Sequence, residues 1–237
     1  MTTTTTAVAT TGSAARRLRA ALLPALLAAL PVVAYAPAWW EGRLLGPGDG
    51  AALHFPLRSA VWEAWRDGDL PAWNPGIFLG TPLLASYRPG ALFPLMLPLA
   101  LLPPFTAFQV LVLGSLALSG MLAFAYVRQL GGENVGAYVA GLSFALGPYL
   151  VGHLDDTATV LAAPLLLLLL LALEAQLARG GALRAAALAG TLALLLLAGS
   201  PEADRAGAAL LAGRLVVAWL TGTTRTPWSE TLARSAR

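Results

Sequence analysis

The residues that could carry chemistry are few and clustered. "GHLDDT" at 152–157 sets Asp155 and Asp156 side by side, close behind His153. Adjacent carboxylates could hold a divalent cation through oxygen ligands, or one of them could act as an acid. The same residues suit the polar cap of a helix starting near Thr157, because aspartate is favoured at a helix N-terminus. Arg58 and Arg88 could each bind a phosphate in bidentate fashion, or stay solvated or paired with headgroups. Glu202, in "SPEAD" at 200–204, either faces the same cavity or forms a short polar turn. Asp49 stands in "GPGDG" at 46–50, a Gly-Asp-Gly run that favours a turn by itself. His54 and His153 are the only histidines. His153 alone is more often structural than a ligand.

What must position these residues is overwhelmingly apolar. Of 237 residues, 57% are hydrophobic and 11% are charged, against about 25% charged in an average soluble domain. A soluble core of this size could not hide so much apolar surface, so membrane lipid is the expected solvent. The chain has no lysine and its arginines are scattered, which is not the footprint of a nucleic-acid partner. With no cysteine there is no disulfide, no thiolate nucleophile and no cysteine-ligated metal. Arginine without lysine, beside much alanine and glycine, points to a bacterium with a GC-rich genome.

Residues 1–15 are Thr-rich and low in complexity, and are expected to form a disordered tail. "AALLPALLAALPVVAYAPAWW" at 20–40 then makes about 31 Å of helix, enough to cross a bilayer. "AYA" at 34–36 has the form of a signal-peptide cleavage site, but Trp39 and Trp40 suit an interfacial anchor. Further spans are expected at about 105–127, 135–152, 157–177, 182–199 and 206–220, completing a transmembrane domain over 16–220 with a polar tail at 221–237. Arg214 inside the last run is expensive at mid-bilayer, so it either pairs with a carboxylate or marks a poor span.

The segment "ALFPLMLPLALLPP" at 91–104 carries many prolines and reads as re-entrant or as a short span. If it does not span and the amino terminus is cytoplasmic, Arg128, Arg179, Arg184, Arg225, Arg234 and Arg237 join Arg16, Arg17 and Arg19 inside. If it spans, most of those arginines land outside, against the usual bias. The first arrangement is preferred. It sends Glu41, Asp49, Glu63, Asp67, Asp69, Asp155, Asp156, Glu202 and Asp204 to the outer side, leaving only Glu133, Glu174 and Glu230 elsewhere.

The outer loop over 41–90 opens with Leu53, Leu57, Val61 and Trp65 at every fourth residue, with Arg58, Glu63, Arg66 and Asp67 off that stripe. This predicts a short helix lying in the membrane interface, or one packed on other helices. "LPAWNPGIFLGTPLLA" at 70–85 follows, where Pro71, Pro75 and Pro82 rule out a regular helix. Irregular backbone near a membrane is tolerated only where it is buried or lines a cavity. With Trp73 and Phe78 at headgroup depth, the segment is expected to wall a cavity at the outer surface.

"GDGAALHFPLR", followed by "DGDLPAWNPGIFLGTPLLASYRPGALFPL", resembles the start of the YfhO-type family of bacterial membrane proteins. The pattern "LPxWNPxxFxGxPLL" is its most specific part, and "LALSGMLAFAYVRQLG", "SFALGPYLVGHLDD" and "LLLLAGSPEAD" continue it in the family's order across about residues 40–205. The resemblance implies an all-α, GT-C-like polytopic transmembrane bundle, of which this chain is the amino-terminal portion. It implies a glycosyltransferase in the bacterial cytoplasmic membrane that moves a sugar from a polyprenyl-phosphate carrier to a cell-envelope polymer on the outer face. Asp49 then corresponds to the acidic residue that such enzymes place just beyond the first span. A carboxylate there can take the acceptor's proton and stabilise an oxocarbenium-like transition state. Asp155 and Asp156 would support it or bind metal, and His54, Arg58, Trp73, Asn74, Arg88, His153 and Glu202 would contact substrate. The alternative is a non-catalytic membrane component, either an accessory to carrier-lipid flipping or a truncated remnant.

Overall fold

The computed structural model describes residues 5–77 and 79–222, with side chains from Leu22 onward. The chain is mostly helical, 72% of it. Nine helical elements appear in the described residues: α1 Thr5–Trp40, α2 Phe55–Asp67, α3 Met96–Leu99, α4 Pro104–Gln129, α5 Asn134–Ala145, α6 Pro148–Gly152, α7 Thr157–Arg179, α8 Ala182–Leu197 and α9 Pro201–Leu220. A π-helical turn, Gly50–His54, runs directly into α2. Two two-residue strands, β1 Trp73–Asn74 and β2 Thr81–Pro82, pair antiparallel with Trp73 opposite Pro82.

Among the described residues, four helices are long and apolar enough to cross a bilayer: Leu22–Trp40, α4, Asn134–Gly152 and α7. The other two expected spans differ. α8 has 16 residues, or about 24 Å of rise. α9 starts at Pro201, earlier than the expected 206, because Ser200 caps it and Pro201 is tolerated at the first position. Its first turn carries Glu202 and Asp204, which favour the positive end of the helix dipole. The expected 135–152 span is broken between Ala145 and Pro148, since proline supplies no N–H and disfavours helix in the residue before it. At the other extreme, α1 extends back to Thr5, through most of the stretch read as a disordered tail. No proline interrupts it before Pro24, so the helix has no stop signal there. The polar tail expected over 221–237 lies, from 223 onward, outside the described residues, as does the side chain of Phe78.

α4 and α7 form the centre and are each more than half buried, whereas the apolar parts of α1 and of α5–α6 lie mostly at the periphery. α4 packs on α1, α5 and α7, and α7 packs on α8 and α9. α4 meets α5 through Gly120 and Gly141: a Cβ on Gly141 would lie 2.7 Å from the Gly120 carbonyl oxygen. Small residues at such a crossing let two backbones approach, the usual way apolar helices associate where lipid removes the hydrophobic drive. Gln129 Nε2 donates to the Leu171 carbonyl at 3.4 Å, and Phe108 and Leu154 both lie against Gly46. α4 and α7 therefore run parallel. The ends of α1, α6 and α8 meet the starts of α4, α7 and α9 at one end of the bundle. The turns carrying Arg128, Glu133, Arg179 and Arg184 lie at the opposite end.

Residues 91–104 hold only the single turn α3, too short to cross a bilayer. An irregular segment leaves carbonyl groups without helical partners, and buried carbonyls need donors. α2 supplies them. Arg58 Nη1 donates to the Pro89 carbonyl at 3.1 Å, Trp65 Nε1 to Ala91 at 3.2 Å, and Arg66 to Ala100 and Leu102 at 3.0 and 2.8 Å. α2 is thus packed on other helices, one of the two arrangements its periodicity allowed. It packs on α3 and α4, with Leu57, Val61 and Trp62 buried. Arg58, expected off the apolar stripe, is fully buried on it. The stripe is one residue wider than fourfold spacing indicates, because a long arginine can bury its stem while its head reaches backbone carbonyls.

The Trp-Asn-Pro loop is closed on itself. Leu83 N–H donates to the Ala72 carbonyl at 2.9 Å, and the Leu83 side chain is buried in the core. Gly80 has φ +116, and a Cβ there would lie 2.4 Å from the Trp73 ring, so only glycine permits this contact.

Candidate functional site

Four segments converge at the bundle end where α7 and α9 begin. A Cβ on Gly50 would lie 3.1 Å from the Leu154 carbonyl oxygen, so the turn after Asp49 rests on the backbone of Leu154 and Asp155. Gly199 has φ +84, and a Cβ there would meet the Tyr87 carbonyl at 2.4 Å, which brings the loop carrying Arg88 against the α8–α9 turn. Asp49, Arg88, Asp156 and Glu202 thus belong to segments that meet, although they are far apart in sequence.

At the centre is a polar chain that ties α2, α7 and α9 together. His54 is 2% exposed, and its Nε2 lies 3.3 Å from Asp156 Oδ1. Asp156 caps α7 by accepting from the Ala158 N–H at 3.2 Å, and its Oδ2 accepts from the Thr159 hydroxyl at 3.0 Å. Thr159 Oγ1 is also 3.0 Å from Ser200 Oγ. A hydroxyl has one proton. Since Thr159 gives its proton to Asp156, Ser200 must donate to Thr159, and Ser200 in turn accepts from the Ala203 N–H at 3.3 Å. Beside this chain, Tyr87 donates its hydroxyl to Asp204. Burial, helped by Asp204, pushes the Tyr87 phenol above its ordinary range.

Arg58 lies one helical turn after His54. Its Nε donates to Thr157 Oγ1 at 3.4 Å and its Nη1 to the Pro89 carbonyl, while its Nη2 is buried with no hydrogen-bond partner among the described residues. Burial pushes the guanidinium down to about 10, with Asp156 opposing. Burial and the Arg58 charge hold His54 below the usual imidazole range. Asp156 pulls it up, Arg88 lowers it and Asp49 raises it. All four charges therefore act on one buried imidazole.

The other expected site residues are placed differently. Asn74 is buried, and its Oδ1 accepts the Gly76 N–H at 2.9 Å, so it shapes its own turn. Trp73 is half exposed and lies on Gly80. His153 bonds the Tyr149 carbonyl at 2.7 Å and packs on the Tyr149 ring, within its own helical turn. Glu202 is exposed and pairs with Arg205 at 3.3 Å. Asp155 is exposed, whereas Asp156 is a helix cap, the other of the two roles that "GHLDDT" allows. Among the described residues no group of three His, Cys, Asp or Glu side chains is placed to hold a metal ion. Sequence reasoning missed the hydroxyls of Thr159 and Ser200 and the Tyr87–Asp204 contact. A threonine three residues after an N-cap aspartate is the one local signal that points to Thr159.

A groove of about 380 Å³ lies between residues 93–99, α4 and α7. Phe93, Leu99, Leu111, Leu161, Pro164 and Leu165 give it a nearly all-apolar lining. The Trp-Asn-Pro loop, expected to line a cavity, does not wall this one. Neither Arg58 nor Met96 lines it; its wall at Leu161 lies one turn along α7 from Thr157, whose hydroxyl Arg58 meets.

His54 carries a consequence for stability. Its proton affinity is lower folded than unfolded, so the unfolded chain binds more protons once pH drops below about 6.5. Stability is therefore complete above that value and declines below it, by at most about 1.4 kcal/mol per pH unit. Thermal unfolding in detergent is expected to show this acid-side loss, and His54→Gln is expected to remove it. Comparison with family models, with curated proteins and with solved structures finds no match to this chain.

Proposed function

We propose that this chain is the amino-terminal portion of a multi-pass, GT-C-like glycosyltransferase of the bacterial cytoplasmic membrane, with its amino terminus inside. It would transfer a sugar from a polyprenyl-phosphate carrier to a cell-envelope acceptor on the outer face. The observation that carries this reading is the gathering of Asp49, His54, Arg58, Arg88 and Asp156 at one end of the bundle, with a buried guanidinium nitrogen left unpartnered. The apolar groove, whose wall at Leu161 is one turn along α7 from the Thr157 that Arg58 meets, adds room for a hydrocarbon chain. In this reading the acceptor oxygen attacks the anomeric carbon and its proton passes to the Asp49 carboxylate. The bond from that carbon to phosphate breaks, and the departing polyprenyl phosphate is held by Arg58 and Arg88.

The non-catalytic alternative has one observation in its favour: both Asp156 oxygens are engaged in holding α7 and Thr159. Reconstitution of the full chain into liposomes with polyprenyl-phosphate-linked sugars separates the two. The enzyme reading expects carrier binding and release of free polyprenyl phosphate when an envelope polymer is added. Binding without release would support the flipping-accessory form of the non-catalytic reading, and absence of binding would overturn both the enzyme and that accessory, leaving the remnant.

A further inference from the structure

We propose that an anion held by Arg58 and Arg88 loads a proton onto His54, so that phosphate-type ligands bind this end of the bundle more tightly as pH falls. This rests on the reading above, in which those arginines meet a phosphate, and adds how that site is regulated.

The geometry supplies a path and a charge count. Arg88 is exposed, and the next residue, Pro89, gives its carbonyl to Arg58. An anion engaging Arg88 therefore arrives one residue from a fully buried guanidinium that has a nitrogen to spare. The groups acting on His54 are Arg58 on α2, Arg88 in the facing loop, Asp156 at the start of α7, and Asp49 ahead of the π-helical turn. Two positive and two negative charges cancel, so with neutral imidazole the cluster is balanced. Protonating His54 adds an uncompensated positive charge in a site that is 2% exposed, which burial penalises. A bound anion reverses the balance. It leaves the cluster negative, and an imidazolium 3.3 Å from Asp156 then offsets part of that charge. Linkage is reciprocal: whatever factor the anion adds to the proton affinity of His54, acid adds to the affinity for the anion.

Calorimetric titration of the full chain in detergent with inorganic sulfate tests this, because the charge of sulfate does not change across the range used. Binding is expected to tighten about three- to tenfold from about pH 7.5 to about pH 5.5. Repeating the titration in buffers of different ionisation enthalpy is expected to reveal uptake of a fraction of a proton per sulfate bound, approaching about one. The uptake measurement needs no variant. His54→Gln is expected to bind sulfate with no proton uptake and a flat pH profile, and Arg88→Gln, at an exposed position, to bind more weakly. Sulfate binding that is independent of pH, with no proton uptake, would overturn the proton link while leaving the arginine site standing. No sulfate binding at either pH would overturn the arginine site itself.

Discussion

Replacing Asp49 with asparagine is expected to lower sugar transfer by about a hundred- to ten-thousandfold, the contribution of a positioned general base, with no loss of fold. Asn keeps the shape of the side chain but can neither accept the acceptor's proton nor carry negative charge. The structure makes this a clean test. Asp49 is exposed, sits in ordinary right-handed backbone with φ −63, and makes no capping hydrogen bond to the turn it precedes. The tight geometry beside it falls to Gly48, at φ +58. A turn-forming role would have tied the carboxylate to nearby backbone N–H groups, as Asn74 is tied to Gly76. Transfer by Asp49→Asn at the unmodified rate would remove Asp49 from the mechanism. Asp156→Asn is a useful contrast, since it weakens a helix cap worth about 1 kcal/mol and would act on stability as well as activity.

Glu174→Leu is expected to destabilise the bundle by roughly 2–4 kcal/mol, because it strands Arg214 against apolar surroundings. Arg214 on α9 meets Glu174 on α7 bidentately through one guanidinium edge, Nε donating to Oε1 and Nη2 to Oε2 at 2.8 Å, and only 26% and 12% of the two side chains are exposed. Both sequence readings of Arg214 are observed: it is a paired cation, and α9 is not among the four helices long and apolar enough to cross a bilayer. Removing both partners, in Glu174→Leu with Arg214→Leu, is expected to recover most of the loss, since neither charge then lacks a partner. Thermal unfolding of the two single variants and the double variant in one detergent measures the coupling. A loss in the double variant equal to the sum of the two single losses would show that the pair contributes no coupling.

Element type was legible wherever apolar runs were long. α4 and α7 lie within a few residues of the expected spans, because length and apolarity are properties of one segment alone. The break at Pro148 and the early start of α9 at Pro201 follow local rules that a hydropathy reading passes over: proline interrupts a helix from within and begins one well. α2 shows a different failure. Its periodicity pointed to the correct helix and to the correct face, but made that face one residue too narrow, since Arg58 and Trp62 are buried beside Leu57 and Val61. Arginine counts as polar in any pattern of spacing, and the Pro89 carbonyl and the Thr157 hydroxyl, both contributed by distant segments, let its head group be buried.

The sequence by itself determined that this chain is helical and dominated by apolar segments, with its few charged groups spread among them. Only the tertiary structure decided which of those groups meet. His54 and Asp156 are 102 positions apart in the chain and touch because the π-helical turn rests on the start of α7. Thr159 and Ser200 join through the packing of α7 beside α9. Composition and spacing act along the chain, whereas the burial and charge that set the behaviour of His54 and Arg58 come from segments brought together by packing.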